Sequence, residues 1–451
     1  MKPYTLISVD GHAGLPTAQY RDYLERKYHA AFDEEIEQLA ALRKGFLNAG
    51  KNAAKTPLMY EAHMHRYSDP DNHEMQERIR GAWDLDVRLR ELDAEGVIGE
   101  VLFPDGQGFN SFPFGGFFGE HPVPIRDPEL RAAGARAHNR WLAEFCAASG
   151  GRLQGVAMIM PFDIWQAVAD VRWAYSAGLR GIVLPPPDET YPPYHEAVFD
   201  PLWAVCAELG MAVHSHGGDP PKIYGQSIAS QTLAILELGF FRRRVLAQLM
   251  LGGVFVRHPD LRFVYTEVGI DWLPNFIDLL EHVYHNDWLR MGQPPKRWLS
   301  LSPKDAWARN CAAAATAATF DEIQQARRLG FETVMWGADY PHVEGGWPHS
   351  WQEIRQAFAT VDDQQRRQMV GENAARFYRF DPQLIESLVA RIGPPAGTFI
   401  SDEVPERPDF SVHDFTNGWV NSYGGFARNM RWSLDNTENY PDSRPNAKPN
   451  A

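Results

Sequence analysis

Cysteine is scarce in this chain: Cys146, Cys206 and Cys311 are the three in 451 residues. An odd number without finger-like spacing excludes a disulfide framework and a thiolate zinc cluster, and suits reduced thiols in a cytoplasmic protein. Long apolar runs are missing too. The longest, "VLAQLMLGGVFV" from Val245 to Val256, falls short of the roughly 20 residues that cross a bilayer. The opening "MKPYTLISVD" meets Asp10 before any small-residue cleavage site, so it does not read as a secretory leader. Positive charge is in deficit, with 44 basic against 58 acidic residues and a net charge of -14. Such a field repels nucleic acid and anionic membranes, leaving a small molecule as the expected partner.

What the chain does have is alternation. Strand-like runs stand near Thr5–Val9, Val97–Phe103, Gln154–Met160, Gly181–Leu184, Ala212–Ser215, Arg262–Thr266, Cys311–Thr316 (the weakest) and Thr333–Gly337. Between them lie helix patterns such as "RDPELRAAGARAHNRWLAEFCAASG", with Asp127 and Pro128 as a start and Gly150 as a stop. Strand and helix in turn imply an α/β fold with a parallel sheet, and eight repeats close naturally into a (β/α)8 TIM barrel. The open doubly wound sheet competes, but no glycine-rich dinucleotide turn follows the first strand. Barrels with insertions reach this length as one domain. The expected layout is a barrel over 1–393, with a long insertion after strand one over about 13–80, and an extended C-terminal arm over 394–451. The insertion is polar and rich in His and Tyr and reads as a lid or partner contact. The aromatic arm reads as a wrap around the barrel or a second subunit, with a homodimer as the default assembly.

The first strand ends in "VDGH". Alternate side chains of a strand share a face, so Asp10 and His12 form a two-pronged clamp. His214 and His216 repeat that spacing at the end of the fifth strand, Glu267 ends the sixth, and Asp339 ends the eighth in "VMWGADYPH". In a barrel the carboxyl ends of the strands meet on one face, where catalytic groups sit. Acids that close repel one another unless a cation lies between them, and a mixed N/O set suits Zn²⁺, the first choice, or Mn²⁺.

Each residue has a plainer reading. Asp10 and His12 could mark only a turn. One of His214 and His216 could be a satisfied core histidine that orients the other, with His216 favoured as the ligand. Glu267 could cap the helix after "GID", and His342 could either stabilise its loop or touch substrate. "HMH" at His63–His65 looks like a clamp, but no strand precedes it, so a lid contact is expected there. Phe109, Phe112, Phe114, Phe117 and Phe118, with Trp272 and Trp347, suggest an apolar or aromatic pocket wall or the packing of a lid.

"ISVDGH", "RLRELDAEGV" followed by "EVLFP", "FDPLWAVCAELGMAVHSHGG", "GVFVRHPDLRFVYTEVGIDWLP", "VMWGADYPH" and "GENAARFYRFD" together resemble the amidohydrolase superfamily. Within it they resemble the amidohydrolase-2 branch that holds the aminocarboxymuconate-semialdehyde decarboxylase relatives. The resemblance runs from Thr5 to about Asp381, with the insertion poorly matched. It implies a metal-dependent barrel enzyme in which Asp10 and His12 look like the first metal pair, His216 the strand-five ligand, and Asp339 the strand-eight acid that binds metal or moves protons; Glu267 and His214 are expected beside Asp339 as catalytic groups on their placement at strand ends. Asp10 in place of a first-strand histidine is similar to the decarboxylating members, and "RGIVLPPPD" lacks the lysine that bridges two metals, so one ion is expected. Glu267 stands where decarboxylase relatives carry histidine. The expected activity is non-oxidative decarboxylation of a small aromatic or unsaturated acid. The alternative is hydrolysis of an amide, ester, lactone or C–C bond with metal-activated water. A barrel that only binds or scaffolds is the third possibility.

Overall fold

A computed structural model of the chain describes residues 2–50, 77, 80–105, 112–115, 127–187, 191–216, 233, 243–288, 290, 292–316, 318–342 and 346–401, with side chains described outside 42–50. Eight strands form one sheet in sequence order: β1 Leu6–Ala13, β2 Val97–Pro104, β3 Leu153–Met158, β4 Gly181–Val183, β5 Ala212–His216, β6 Phe263–Thr266, β7 Cys311–Thr316 and β8 Val334–Gly337. Each pairs in parallel with the next. The ends meet as well: Asp339 N donates to Asp10 O at 2.8 Å, and His12 N donates to Tyr340 O at 2.8 Å. A parallel sheet that returns to its first strand in this way is a TIM barrel.

The helices on the outside follow from punctuation in the chain. They are α1 His29–Gly50, α2 Leu85–Glu95, α3 Pro128–Ala148, α4 Ile164–Ser176, α5 Asp200–Leu209, α6 Leu273–His285, α7 Pro303–Asn310, α8 Phe320–Leu329, α9 Ser350–Ala357 and α10 Pro382–Ile392. Asp127 caps α3 by accepting from Glu129 N, with Pro128 pre-set for the first turn. Thr319 and Glu322 form a capping box on α8. Among the described residues no helix is long and apolar enough to cross a membrane.

Strand β1 runs four residues past the expected Val9, so Asp10 and His12 lie inside the sheet rather than beyond it. Its register also shifts: Ser8 pairs with Glu100 and Gly11 with Leu102, three steps on β1 against two on β2. That is a β-bulge, a device that re-aims side chains. The alanine-rich β7 forms as expected, its six residues all buried.

The insertion is less polar in practice than its composition suggests. Tyr20, Leu24, Tyr28 and Phe32 are buried in the main core, and Arg136 and Arg140 of α3 hold Glu25 at 3.1 and 2.8 Å. Its first part is thus a packed shoulder on α3. His63–His65 lie outside the described residues. At the other end, Phe399 is buried with its ring 4.8 Å from that of Tyr4. The arm beyond residue 401 lies outside the described residues.

Candidate functional site

At the carboxyl ends of the strands the fold gathers seven ligand-type side chains. His216 Nε2 lies 3.2 Å from Asp10 Oδ1, and His12 Nε2 lies 3.4 Å from the same oxygen. His12 Nε2 is also 3.0 Å from Asp339 Oδ1. Glu267 places Oε2 at 3.4 Å from His216 Nε2. The remaining two donors were not singled out as ligands from sequence. His342 puts Nδ1 at 2.8 Å from Asp339 Oδ1 and Nε2 at 2.6 Å from Asp105 Oδ2.

The backbone makes this crowding possible. Asp339 and Glu267 both adopt positive φ, 59° and 55°, left-handed conformations that cost a non-glycine residue about 1–3 kcal/mol and cluster at functional sites. The turn after Asp339, closed by His342 N donating to Asp339 O at 2.8 Å, folds His342 back so that its ring stacks on His12 at 3.8 Å. Under β1, a Cβ on Gly11 would stand 2.3 Å from Glu100 Oε1. The glycine of "VDGH" is therefore a matter of space.

Glu100 is fully buried and pairs with buried Arg88, whose Nε donates to Glu100 Oε2 at 3.0 Å. The same guanidinium donates to the carbonyls of His12 at 2.9 Å, Gly81 at 2.8 Å and Tyr340 at 3.1 Å. Arg88 therefore clamps β1 to the turn after β8 directly behind the cluster. Both residues stand in motifs that carry the resemblance, and the signal for a role was an acid inside the apolar run "VIGEVLFP".

The electrostatics suit a cation. Burial opposes charge on Asp10, yet His216 and His12 hold its carboxyl well below the usual carboxylate range. Burial and the facing His342 pull the His12 imidazole down, but Asp10 and Asp339 outweigh them and raise it to about 10. Burial, then Asp339 and Asp10, push Glu267 up to about 8. Both ring nitrogens of His12 and both carboxylate oxygens of Asp339 are buried without a hydrogen bond, although Nε2 and Oδ1 are close. Buried polar atoms are almost always satisfied. Lone pairs that converge without bonding one another are what a metal ion requires. Donors about 2.1 Å from a tetrahedral ion lie roughly 3.4 Å apart, close to the 3.2 and 3.4 Å that separate Asp10 Oδ1 from His216 Nε2 and His12 Nε2. Asp10 is further fixed by Thr316, whose Oγ1 donates to Oδ2 at 2.6 Å. The residues present fit a divalent ion.

The expected site residues do not all converge equally. Asp10, His12 and His216 form one compact ligand group, while Asp339 groups with Glu267 and His342. Just before α6, Ile270 N donates to Glu322 Oε1 at 2.6 Å, and the residue that precedes the helix, Trp272, makes no side-chain cap. His214, expected among the catalytic groups, is turned away. Its Nδ1 meets Ile182 O at 3.0 Å and its Nε2 meets Tyr378 OH at 2.8 Å, and burial pushes it down to about 3. It shares a face with His216 but lies one layer deeper, because each strand residue advances about 3.3 Å.

The expected aromatic wall also changes. Phe112 and Phe114 pack on His138 at 4.7 Å and on Phe32 at 6.0 Å, within the shoulder formed by the insertion. Trp272 is tied to Val268 O at 2.8 Å, and Trp347 lies on Tyr340 at 5.0 Å. Phe109, Phe117 and Phe118 lie outside the described residues. Among the described residues Phe103 reaches the cluster, stacked on His216 at 4.2 Å. A depression of about 640 Å³ lined by Tyr23, Glu25, Arg140 and Trp173 lies outside the barrel and shares no residue with the cluster.

Comparison with known proteins gives the same picture. No curated protein matches the chain. Among solved structures, the 5-carboxyvanillate decarboxylase from Sphingomonas paucimobilis is similar with a TM-score of 0.60 at 21% identity, over 84% of this chain and 100% of that one. The same enzyme from Novosphingobium aromaticivorans DSM 12444, complexed with manganese and 4-hydroxy-3-methoxy-5-nitrobenzoic acid, gives 0.58 at 16% identity, over 83% and 96%. The 2,6-dihydroxybenzoate decarboxylase from Rhizobium gives 0.55 at 17% identity, over 83% and 99%. These likenesses speak for the barrel. The model of the amidohydrolase family matches residues 60–380. That stretch begins after β1, so Asp10 and His12 join the site on geometry alone. From β2 to β8 the match covers well over half of the sequence, and the chain belongs to the amidohydrolase family.

Proposed function

We propose that this chain is a divalent-metal-dependent carboxy-lyase that removes CO2 from a small aromatic or unsaturated carboxylic acid. The observation that carries the reading is the convergence of Asp10, His12 and His216 on one point, with the acids Asp339 and Glu267 beside them. Its similarity to aromatic-acid decarboxylases supports the choice of reaction. Asp10, His12 and His216 would hold the ion, with Asp339 at its edge. Imidazole and carboxylate donors without thiolate suit Mn²⁺ as well as Zn²⁺. When bound, the ion supplies Lewis acidity and a template for the substrate carboxylate.

The chain's own residues do the rest. Phe103, stacked on His216, offers an apolar face beside the point where the carboxylate is gripped. As the bond between ring carbon and carboxylate breaks, its electron pair stays on the ring carbon. Asp339 delivers the proton that forms the new C–H bond, and solvent replaces that proton. Glu267 beside it, which burial and then Asp339 and Asp10 raise to about 8, is placed to hold a proton there. His214 holds β4, β5 and Tyr378 together behind His216.

A second reading is hydrolysis, and a specific observation favours it: an acid, Glu267, ends β6 beside His216, placed to take a proton from an attacking water. The two are separated by incubating the metal-loaded protein with aromatic acids and with ester or lactone analogues in ¹⁸O-labelled water. CO2 release with no label in the organic product supports the lyase. Label in the product with no CO2 overturns it.

A further inference from the structure

We propose that the depression between the insertion, α3 and α4 is a docking site for this chain's own segment Phe415–Leu434. It is independent of the chemistry at the strand ends. The depression, of about 640 Å³, is lined by Leu24, Ala143, Ala147 and Trp173, and the Trp173 side chain is 39% exposed. An open tryptophan beside leucine and alanines is apolar surface that a covering group stabilises. Charge marks the edge of the same hollow. Glu25 is answered by Arg136 and Arg140. Asp22 and Glu144 also line the depression and are exposed. Glu144 accepts from the phenol of Tyr23 at 2.8 Å, and among the described residues neither acid pairs with a cation. Two carboxylates therefore stand at the rim of an aromatic hollow.

The arm supplies an occupant of matching chemistry. Its stretch "FTNGWVNSYGGFARNMRWSL", residues 415 to 434, holds five aromatic side chains and two arginines, Arg428 and Arg431, and no acid, in a chain with 58 acids and a net charge of -14. Aromatic rings pack against an open indole, and a guanidinium can lie over its face while it pairs with a carboxylate. Reach sets no limit. Helix α10, which precedes the arm, places Leu384 Cδ2 3.1 Å from where a Cβ on Gly151 would stand, just past the end of α3. From Ser401 to Arg428 the chain has 27 further residues, a length that extends to about 90 Å. Size favours a tethered segment over a second copy. Two free copies need about 1,200–2,000 Å² of buried surface to stay together, whereas a hollow of this volume takes a few side chains. A few suffice for a segment that its linker holds at roughly millimolar effective concentration.

The test is photocross-linking in the full chain. p-Benzoyl-phenylalanine is introduced in place of the exposed Ala147, chains labelled with ¹⁴N and ¹⁵N are mixed and irradiated, and the cross-linked peptides are mapped by mass spectrometry. Cross-links to residues 415–434 within one chain are expected. Arg428→Glu with Arg431→Glu turns two attractions into repulsions and is expected to lower the yield roughly 10-fold. Adding Asp22→Arg and Glu144→Arg to that chain is expected to restore it, with circular dichroism showing the same barrel throughout. Cross-links only to other segments, no cross-links, or a yield that the charge reversals leave unmoved overturns the proposal. Cross-links that join a ¹⁴N to a ¹⁵N peptide overturn it in favour of a second copy as the occupant.

Discussion

Replacing Arg88 by methionine removes the clamp behind the cluster while keeping most of its volume. Arg88 and Glu100 are both fully buried, so the substitution leaves a carboxylate in the core without its cation. Breaking a buried pair in this way costs about 3–5 kcal/mol, and the carbonyls of His12, Gly81 and Tyr340 lose their donor as well. A cost near the upper end, about 4–5 kcal/mol, is expected in urea unfolding followed by tryptophan fluorescence. The cost should depend on pH. Burial already raises Glu100, and Arg88 is what counters it. Without Arg88 the folded protein keeps a proton on Glu100 that the unfolded chain releases above its ordinary carboxyl range. Stability of the variant should therefore fall as pH rises through neutrality, relative to the parent. Adding Glu100→Gln should recover part of the loss and remove that slope. Because His12 loses its backbone anchor, Mn²⁺ affinity should drop by roughly 10-fold or more. A variant within about 1 kcal/mol of the parent, the worth of one ordinary hydrogen bond, and with no pH slope, would refute the idea that this pair holds the site.

Further predictions are more local. Gly11→Ala places a Cβ 2.3 Å from Glu100 Oε1 and should lower stability by about 1–3 kcal/mol through overpacking, read as a lower melting temperature. His214→Phe should keep the metal ion while costing about 1 kcal/mol for the lost bond to Tyr378, whereas His216→Ala should abolish tight binding of that ion; calorimetric titration with Mn²⁺ distinguishes them. Burial holds His138 down at about 3, against 6.5 for an ordinary histidine. The unfolded chain takes up that proton first, so its contribution to stability is intact above about 6.5 and is lost as pH falls towards 3, by up to about 1.4 kcal/mol per pH unit. His138→Leu should flatten that part of a stability–pH curve.

The barrel was legible because its strands are short apolar runs between capped helices, and even the weak "CAAAAT" lies where the alternation requires a seventh strand. Site residues that end strands, Asp10, His12, His216, Glu267 and Asp339, were legible for the same reason: the fold class assigns them a common face. Asp105 obeys the same rule just past the end of β2, within "PDGQG", whose glycines read as a turn. His342 was legible only as a loop or substrate contact, because its place among the ligand-type groups depends on the left-handed backbone at Asp339, which no spacing rule conveys. His214 misled because alternation reports the face of a strand and not the depth along it. In the described part of the insertion Tyr20, Tyr28 and Phe32 are buried, a packing that its polar composition does not convey.

The central claim is that Asp10, His12 and His216 grip a divalent ion at the carboxyl end of the barrel. Crystals grown with Mn²⁺ and measured for anomalous scattering test it most directly. The account predicts a strong peak within coordination distance of Asp10 Oδ1, His12 Nε2 and His216 Nε2. No peak among those three atoms at saturating Mn²⁺, with the side chains ordered, would contradict it.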